Sequence, residues 1–223
     1  MKFTILYDNL IKNKDLISKW GFSCLIEGEN IPTLLFDTGG EADILIENME
    51  KLKLTGKNID MVFISHAHWD HAGGLQEILN LYKVTAYLPV SAFLLQEKKP
   101  PFYNQLLSAA KVKVLKKPAD ISPGIHTTGE INKTEQSLIL ETDRGLVVVV
   151  GCSHPGVKNI LEVASQFGKI QALIGGLHGF KEYDVLEELD LVCPTHCTQN
   201  IEEIKERYPE KYITGGAGKV III

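Results

Sequence analysis

SHAHWDHAGG, Ser65 to Gly74, places three histidines and an aspartate within His66–His71. The chain has only seven histidines in 223 residues, so this density needs a cause. The stretch follows the apolar run Met61-Val62-Phe63-Ile64. In an extended segment side chains alternate with period two, so His66 and His68 point the same way and can grip one ion. A turn after Trp69 would aim Asp70 and His71 at a second ion nearby. Gly73 and Gly74 are expected to let the backbone bend into the next helix. Crowding of this kind suits two metal ions held close together.

Three further histidines follow apolar runs. His154 comes after LVVVVGCS, His178 after ALIGGL and His196 after LVCPT. Strand ends can converge on one rim of a sheet, where ligand sites often lie. Neutral imidazole is the commonest metal ligand, and zinc takes four N, O or S donors. A lone histidine would read as an ordinary surface residue; six arranged in this way do not. The seventh, His126 in GIHTTG, has no motif around it and reads as a loop histidine. Of the four cysteines, Cys152 lies two residues before His154, and Cys193 and Cys197 flank His196. Thiolates there could add or exchange a ligand. Buried structural thiols are the preferred reading for these and for Cys24, and no disulfide framework is expected.

Short β-rich runs recur along the chain: KFTILYD, FSCLIEG, IPTLLFD, MVFIS, VTAYLP, SLILET, LVVVVG, IQALIGG and KVIII. A Glu-Asn turn between FSCLIEG and IPTLLFD suggests a hairpin. EADILIENMEKL, GLQEILNLY, GVKNILEVASQFG and the segment from Thr198 to Tyr208 carry helical spacing. No linker interrupts them, so residues 1–223 are expected to form one domain of helices covering two sheets. Ala92 to Pro118 looks like an exposed excursion, with Lys98, Lys99, Lys111, Lys113, Lys116 and Lys117 available to a solvated face or an anionic substrate. Tyr103, Trp69 and Phe180 are candidate pocket-lining aromatics. A net charge of -5 argues against a nucleic-acid partner. No run approaches the roughly 18 apolar residues of a membrane span, and the N-terminus lacks signal-peptide features. The expected setting is cytoplasmic, with no membrane partner; an oligomer is left open.

FDTGG (Phe36–Gly40), HAHWDHAGG, GCSHPG (Gly151–Gly156) and PTHCT (Pro194–Thr198) together resemble the metallo-β-lactamase fold superfamily along nearly the whole chain. The resemblance implies an α/β fold, a four-layer αβ/βα sandwich with the metal site at one edge of the sheets. It implies His66, His68 and His154 on one metal and Asp70, His71 and His196 on the other, with Asp37 orienting a ligand imidazole from behind. Two divalent ions are expected, zinc first, iron or manganese as alternatives. In many such hydrolases an Asp in the region that here reads IGGLHGF bridges the metals. This chain has His178 there instead, which puts a tight second site in doubt and leaves His178 as a ligand, a proton-transfer group or a substrate contact. Asp70 and His178 are the candidate catalytic residues. LYDN, WGFS, GCSHPG and GGLH look like the branch typified by the dihydropterin ribofuranosyl-aminobenzene phosphate synthase. The expected activity is a metal-dependent hydrolase or transferase acting on a small, anionic, phosphorylated substrate. The alternatives are a mononuclear iron oxygenase of the persulfide dioxygenase type and a non-catalytic metal sensor.

Overall fold

Alternation along the strands sorts the apolar residues into layers. The computed structural model describes residues 1–94 and 112–223. The chain opens with β1 (Lys2–Tyr7), β2 (Ser23–Glu27), β3 (Leu34–Phe36) and α1 (Ala42–Lys51). It continues with β4 (Met61–Phe63), α2 (Trp69–Ala72), α3 (Leu75–Tyr82), β5 (Thr85–Leu88) and α4 (Ser91–Leu94). Then come β6 (Val112–Val114), β7 (Ala119–Ser122), β8 (Ile125–Thr127), β9 (Leu138–Thr142) and β10 (Gly145–Val150). α5 (Val157–Ala164), β11 (Ile170–Gly176), β12 (Leu191–Thr195), α6 (Ile201–Arg207) and β13 (Val220–Ile222) complete it.

The strands form two mixed sheets, β13-β1-β2-β3-β4-β5-β6 and β12-β11-β10-β9-β8-β7. The expected hairpin is β2 against β3, with Cys24 opposite Phe36. In β3, Leu34 and Phe36 face the space between the sheets while Leu35 faces outward. In β10, Val147 and Val149 point inward, and Leu146, Val148 and Val150 outward. Period-two alternation with both faces apolar requires cover on both sides. α1 and α3 cover the first sheet with Leu45, Met49, Leu75 and Ile78. α5 covers the second with Val157, Ile160, Leu161 and Ala164, a spacing that forms a single helical stripe. The result is the expected four-layer αβ/βα sandwich.

Two expectations change. Part of the proposed excursion is ordered differently: residues 112–114 pair parallel with β5 as an edge strand. The rest of it, with Lys98, Lys99, Tyr103 and Lys111, lies outside the described residues. His126 is not a loop histidine. It sits buried in β8, hydrogen-bonded to Asp120 Oδ1 at 2.7 Å and Glu141 Oε1 at 3.0 Å.

Candidate metal centre

The histidine-bearing loops leave the carboxyl ends of parallel strands, where open α/β sheets characteristically place ligands. Asp37 follows β3, His66 follows β4, Cys152 and His154 follow β10, His178 follows β11 and His196 follows β12. Asp37, Ser153, His178 and His196 have φ of 52°, 60°, 45° and 49°. Non-glycine residues seldom adopt that region, and such conformations persist where the surroundings over-determine them.

One group of donors is already assembled. His71 Nε2 lies 3.1 Å from His196 Nε2 and 3.2 Å from Cys152 Sγ. Asp70 Oδ2 lies 3.3 Å from His196 Nε2 and 3.9 Å from His71 Nε2. Donors around a tetrahedral zinc, with bonds near 2.0–2.3 Å, stand roughly 3.3–3.6 Å apart. The far nitrogens are fixed from behind. His71 Nδ1 donates to Asp37 Oδ2 at 2.7 Å, and His196 Nδ1 to Asn9 Oδ1 at 2.9 Å. Asn9 Nδ2 donates to the His196 carbonyl, which settles the amide's orientation. Trp20 Nε1 donates to Asp70 Oδ2 at 2.8 Å.

A second group adjoins it. His66 Nε2 is 3.1 Å from His68 Nδ1, and the His154 ring centroid stands 4.7 Å from that of His66 and 4.9 Å from that of His68. Ser65 Oγ donates to Asp37 Oδ2 and accepts from His66 Nδ1. Glu135, fully buried, accepts from His154 Nδ1 at 3.0 Å. The same carboxylate takes the backbone N–H groups of Gly151, Cys152, Ser153 and His154 at 2.9–3.1 Å. Burial pushes Glu135 up, but the His154 ring, His66 and the backbone donors outweigh it and hold it at about 2.

These hydrogen bonds test whether the residues suit a metal. With Nδ1–H donated backward, His71 and His196 each turn Nε2 toward the other across 3.1 Å. Burial first, then His196, depresses His71 to about 3, so the His71 ring is neutral near pH 7. Burial likewise holds His66 well below the usual imidazole range. Asp70 is raised by burial, but His196 and His71 hold it below the carboxylate range. Two ring nitrogens at that separation beside a carboxylate fit a bound cation. The donor set of imidazole, carboxylate and thiol suits zinc.

The glycines act differently from expectation. Gly73 and Gly74 have ordinary negative φ of -63° and -84°. Their role is close approach: a Cβ on Gly73 would lie 2.2 Å from the Gly40 carbonyl oxygen, and one on Gly74 2.6 Å from that of Thr38. Thr38 N and Oγ1 both donate to the His71 carbonyl. The DTGG and HAGG segments thus clamp each other, which fixes where Asp70 and His71 point.

His178 is exposed and stands 5.5 Å, ring centroid to ring centroid, from His154. It lies outside both donor groups and lines a 390 Å³ groove with Ser153, His154, Leu177 and Lys181. Phe180 reaches that groove but is largely buried against Tyr183. Trp69 is exposed above Gly40. Lys113, Lys116 and Lys117 are exposed. A larger cavity of 610 Å³, bordered by Met1, Ile31, Arg144 and Ile223, lies at the opposite end of the strands. Sequence reasoning assigned no role to Glu135, Ser65, Asn9 or Trp20. Asn9 and Trp20 sit inside LYDN and WGFS, so a signal existed for them; none marked Glu135.

Residues 21–165 match the family profile described as the metallo-beta-lactamase superfamily. The chain belongs to that superfamily. It is 28% identical, over 98% of its length and 95% of the relative's, to the 7,8-dihydropterin-6-methyl-4-(beta-D-ribofuranosyl)-aminobenzene-5'-phosphate synthase of Methanocaldococcus jannaschii. Among solved structures it is similar to Tm1679, a metal-dependent hydrolase of the beta-lactamase superfamily, at TM-score 0.79 and 26% identity, covering 100% of this chain and 99% of that one. Zinc-bound PqqB from Methylobacterium extorquens, at 11% identity and TM-score 0.66 over the whole of both chains, shares the fold. No helix among the described residues is long and apolar enough to cross a membrane.

Proposed function

We propose that this metallo-β-lactamase superfamily member is a two-metal enzyme acting on a small phosphorylated substrate, by hydrolysis or by displacing a phosphate leaving group. The observation that carries the proposal is the approach of His71 Nε2 to His196 Nε2 at 3.1 Å, with Asp70 beside them. His66, His68 and His154 would hold one ion, and Asp70, His71 and His196 the other. Zinc suits the donor set best. Resemblance to the synthase supports a phosphorylated substrate. Four free, buried cysteines suit a reducing, cytoplasmic setting.

Divalent ions bound there would acidify a water toward neutrality and stabilise negative charge on a departing phosphate. The chain's own residues set the stage. Asp37, Asn9, Ser65 and Glu135 fix ring tautomers and orientations, as partners behind metal ligands do. Trp20 holds Asp70 as an oriented ligand rather than a free base. His178 and Lys181 border the groove beside His154, where His178 can move a proton or contact phosphate and Lys181 adds positive charge.

A single-iron oxygenase fits less well, because the Asp70–His71–His196 group has donor contacts as short as those of the other group. Metal content per chain, measured by elemental analysis alongside turnover of phosphate esters and diphosphates, tests the proposal. Two ions and chelator-sensitive turnover are expected. One iron with oxygen uptake on a persulfide, or metal without turnover, would sink it.

A further inference from the structure

We propose that Cys152 gives its sulfur to both ions, as a thiolate bridging the two subsites; this rests on the two-metal reading above. Its Sγ stands within 4.8 Å of donor nitrogens of His66 and His154, and the same Sγ stands within 4.8 Å of those of His71 and His196. It is the donor common to both triads. The approach to His71 Nε2, 3.2 Å, is just under the roughly 3.3–3.6 Å between neighbouring ligands of one tetrahedral ion.

The placement is built rather than incidental. Cys152 N donates to Glu135 Oε1, between the amides of Gly151 and Ser153 that do the same. One buried carboxylate therefore fixes both the backbone that carries this thiol and the ring of His154. Cys152 is only 4% exposed, and its sulfur lies against His71 Nε2 at 3.2 Å and beside the Cys197 thiol.

Nothing from β11 can take the bridging position. Its last residues are Gly175 and Gly176. A Cβ on Gly176 would lie 2.4 Å from the Gly151 carbonyl oxygen and 2.7 Å from Cys197 Sγ. Asp70 leans toward His196 and is held there by Trp20. Sulfur has the lone pairs to bind two cations, and a coordinating thiol is deprotonated by the metal itself. Together Asp70 and Cys152 would neutralise half the charge of two divalent ions. The remainder would draw an anionic phosphate.

Titration of metal-free protein with cobalt(II) tests this through the sulfur-to-cobalt charge-transfer absorption. The band should grow through two equivalents in the wild type and persist in Cys197→Ser. Cys152→Ser should lack it and take up one tight equivalent instead of two. The wild-type titration carries the test even if Cys152→Ser folds poorly, which far-ultraviolet circular dichroism reports. Two bound cobalt ions without the band would overturn the bridge and leave the two-metal reading intact. A band complete at one equivalent would make Cys152 a terminal ligand and overturn the bridge. Loss of the band in Cys197→Ser, with retention in Cys152→Ser, would assign the sulfur elsewhere. No cobalt uptake would remove the two-metal reading along with it.

Discussion

His71 Nε2 and His196 Nε2 meet at 3.1 Å although 125 positions separate them in the chain. Asp37 and Asn9 hold the two rings in this approach, and a cation bound between them would add its binding free energy to the stability of the fold. Chelator should therefore lower the Tm, and added zinc should restore it. At a free metal concentration 100-fold above Kd, one site adds about 2.7 kcal/mol. Calorimetry with and without chelator checks this; an unchanged Tm would contradict it.

Acid should destabilise the metal-free protein in a defined window. His71 is depressed from 6.5 to about 3 in the fold, so the unfolded chain takes up that proton first as pH falls. Stability is then lost between about 6.5 and 3. Glu135, held at about 2, adds a loss below the ordinary carboxylate range, because its folded value lies under its unfolded one. Burial raises Asp8 to about 6 and also raises Asp37, and both act the other way over the same window. The His71 contribution is therefore read as a difference: urea midpoints in chelator should fall less for His71→Asn than for wild type between about pH 6.5 and 3.

Glu135→Gln keeps an oxygen for the backbone amides but loses the acceptor that His154 needs. Metal affinity should fall about 10- to 100-fold, the usual range for a residue supporting a ligand histidine. Isothermal titration against wild type measures it. Unaltered affinity would mean that His154 is oriented by other contacts.

Gly176→Asp, which puts a carboxylate into the β11 end, should not create a metal bridge. The Cβ would meet the Gly151 carbonyl oxygen at 2.4 Å, and overpacking of this kind costs about 1–3 kcal/mol or more. Denaturant unfolding should show the loss; a variant as stable as wild type would refute the crowding.

His178→Ala should keep its metal content, since His178 stands outside both donor groups. A proton-transfer role predicts a loss of about 100-fold or more in kcat. Loss of an ion from this variant would instead make His178 a ligand.

The strand-end histidines and the long buried strands were legible because their signals are local: an apolar run, then a donor. β7 and β8 were missed because ADIS and IHT are short and half-polar, and only pairing, β7 with β8 and β8 with β9, gives them an identity. Glu135 was invisible for a deeper reason. It lies 19 residues from His154, outside every strand and helix read from the sequence, and acquires its role when β10 ends beside it. Cys152 shared a motif with His154, yet a thiol's default is inert burial, and only its distances set it apart. The structure brings Asp70, His71 and His196 within 3.9 Å of one another, while His178, in the region where many such hydrolases carry an Asp, joins neither group.

Glu135 grips the loop after β10 in the second sheet. Its neighbour Gln136 reaches the first, with N donating to the Ser65 carbonyl and Nε2 to that of Ile64. Two adjacent residues therefore rivet the halves of the sandwich together at the rim where the histidines gather. The rim cannot gape like a pair of jaws without tearing those bonds.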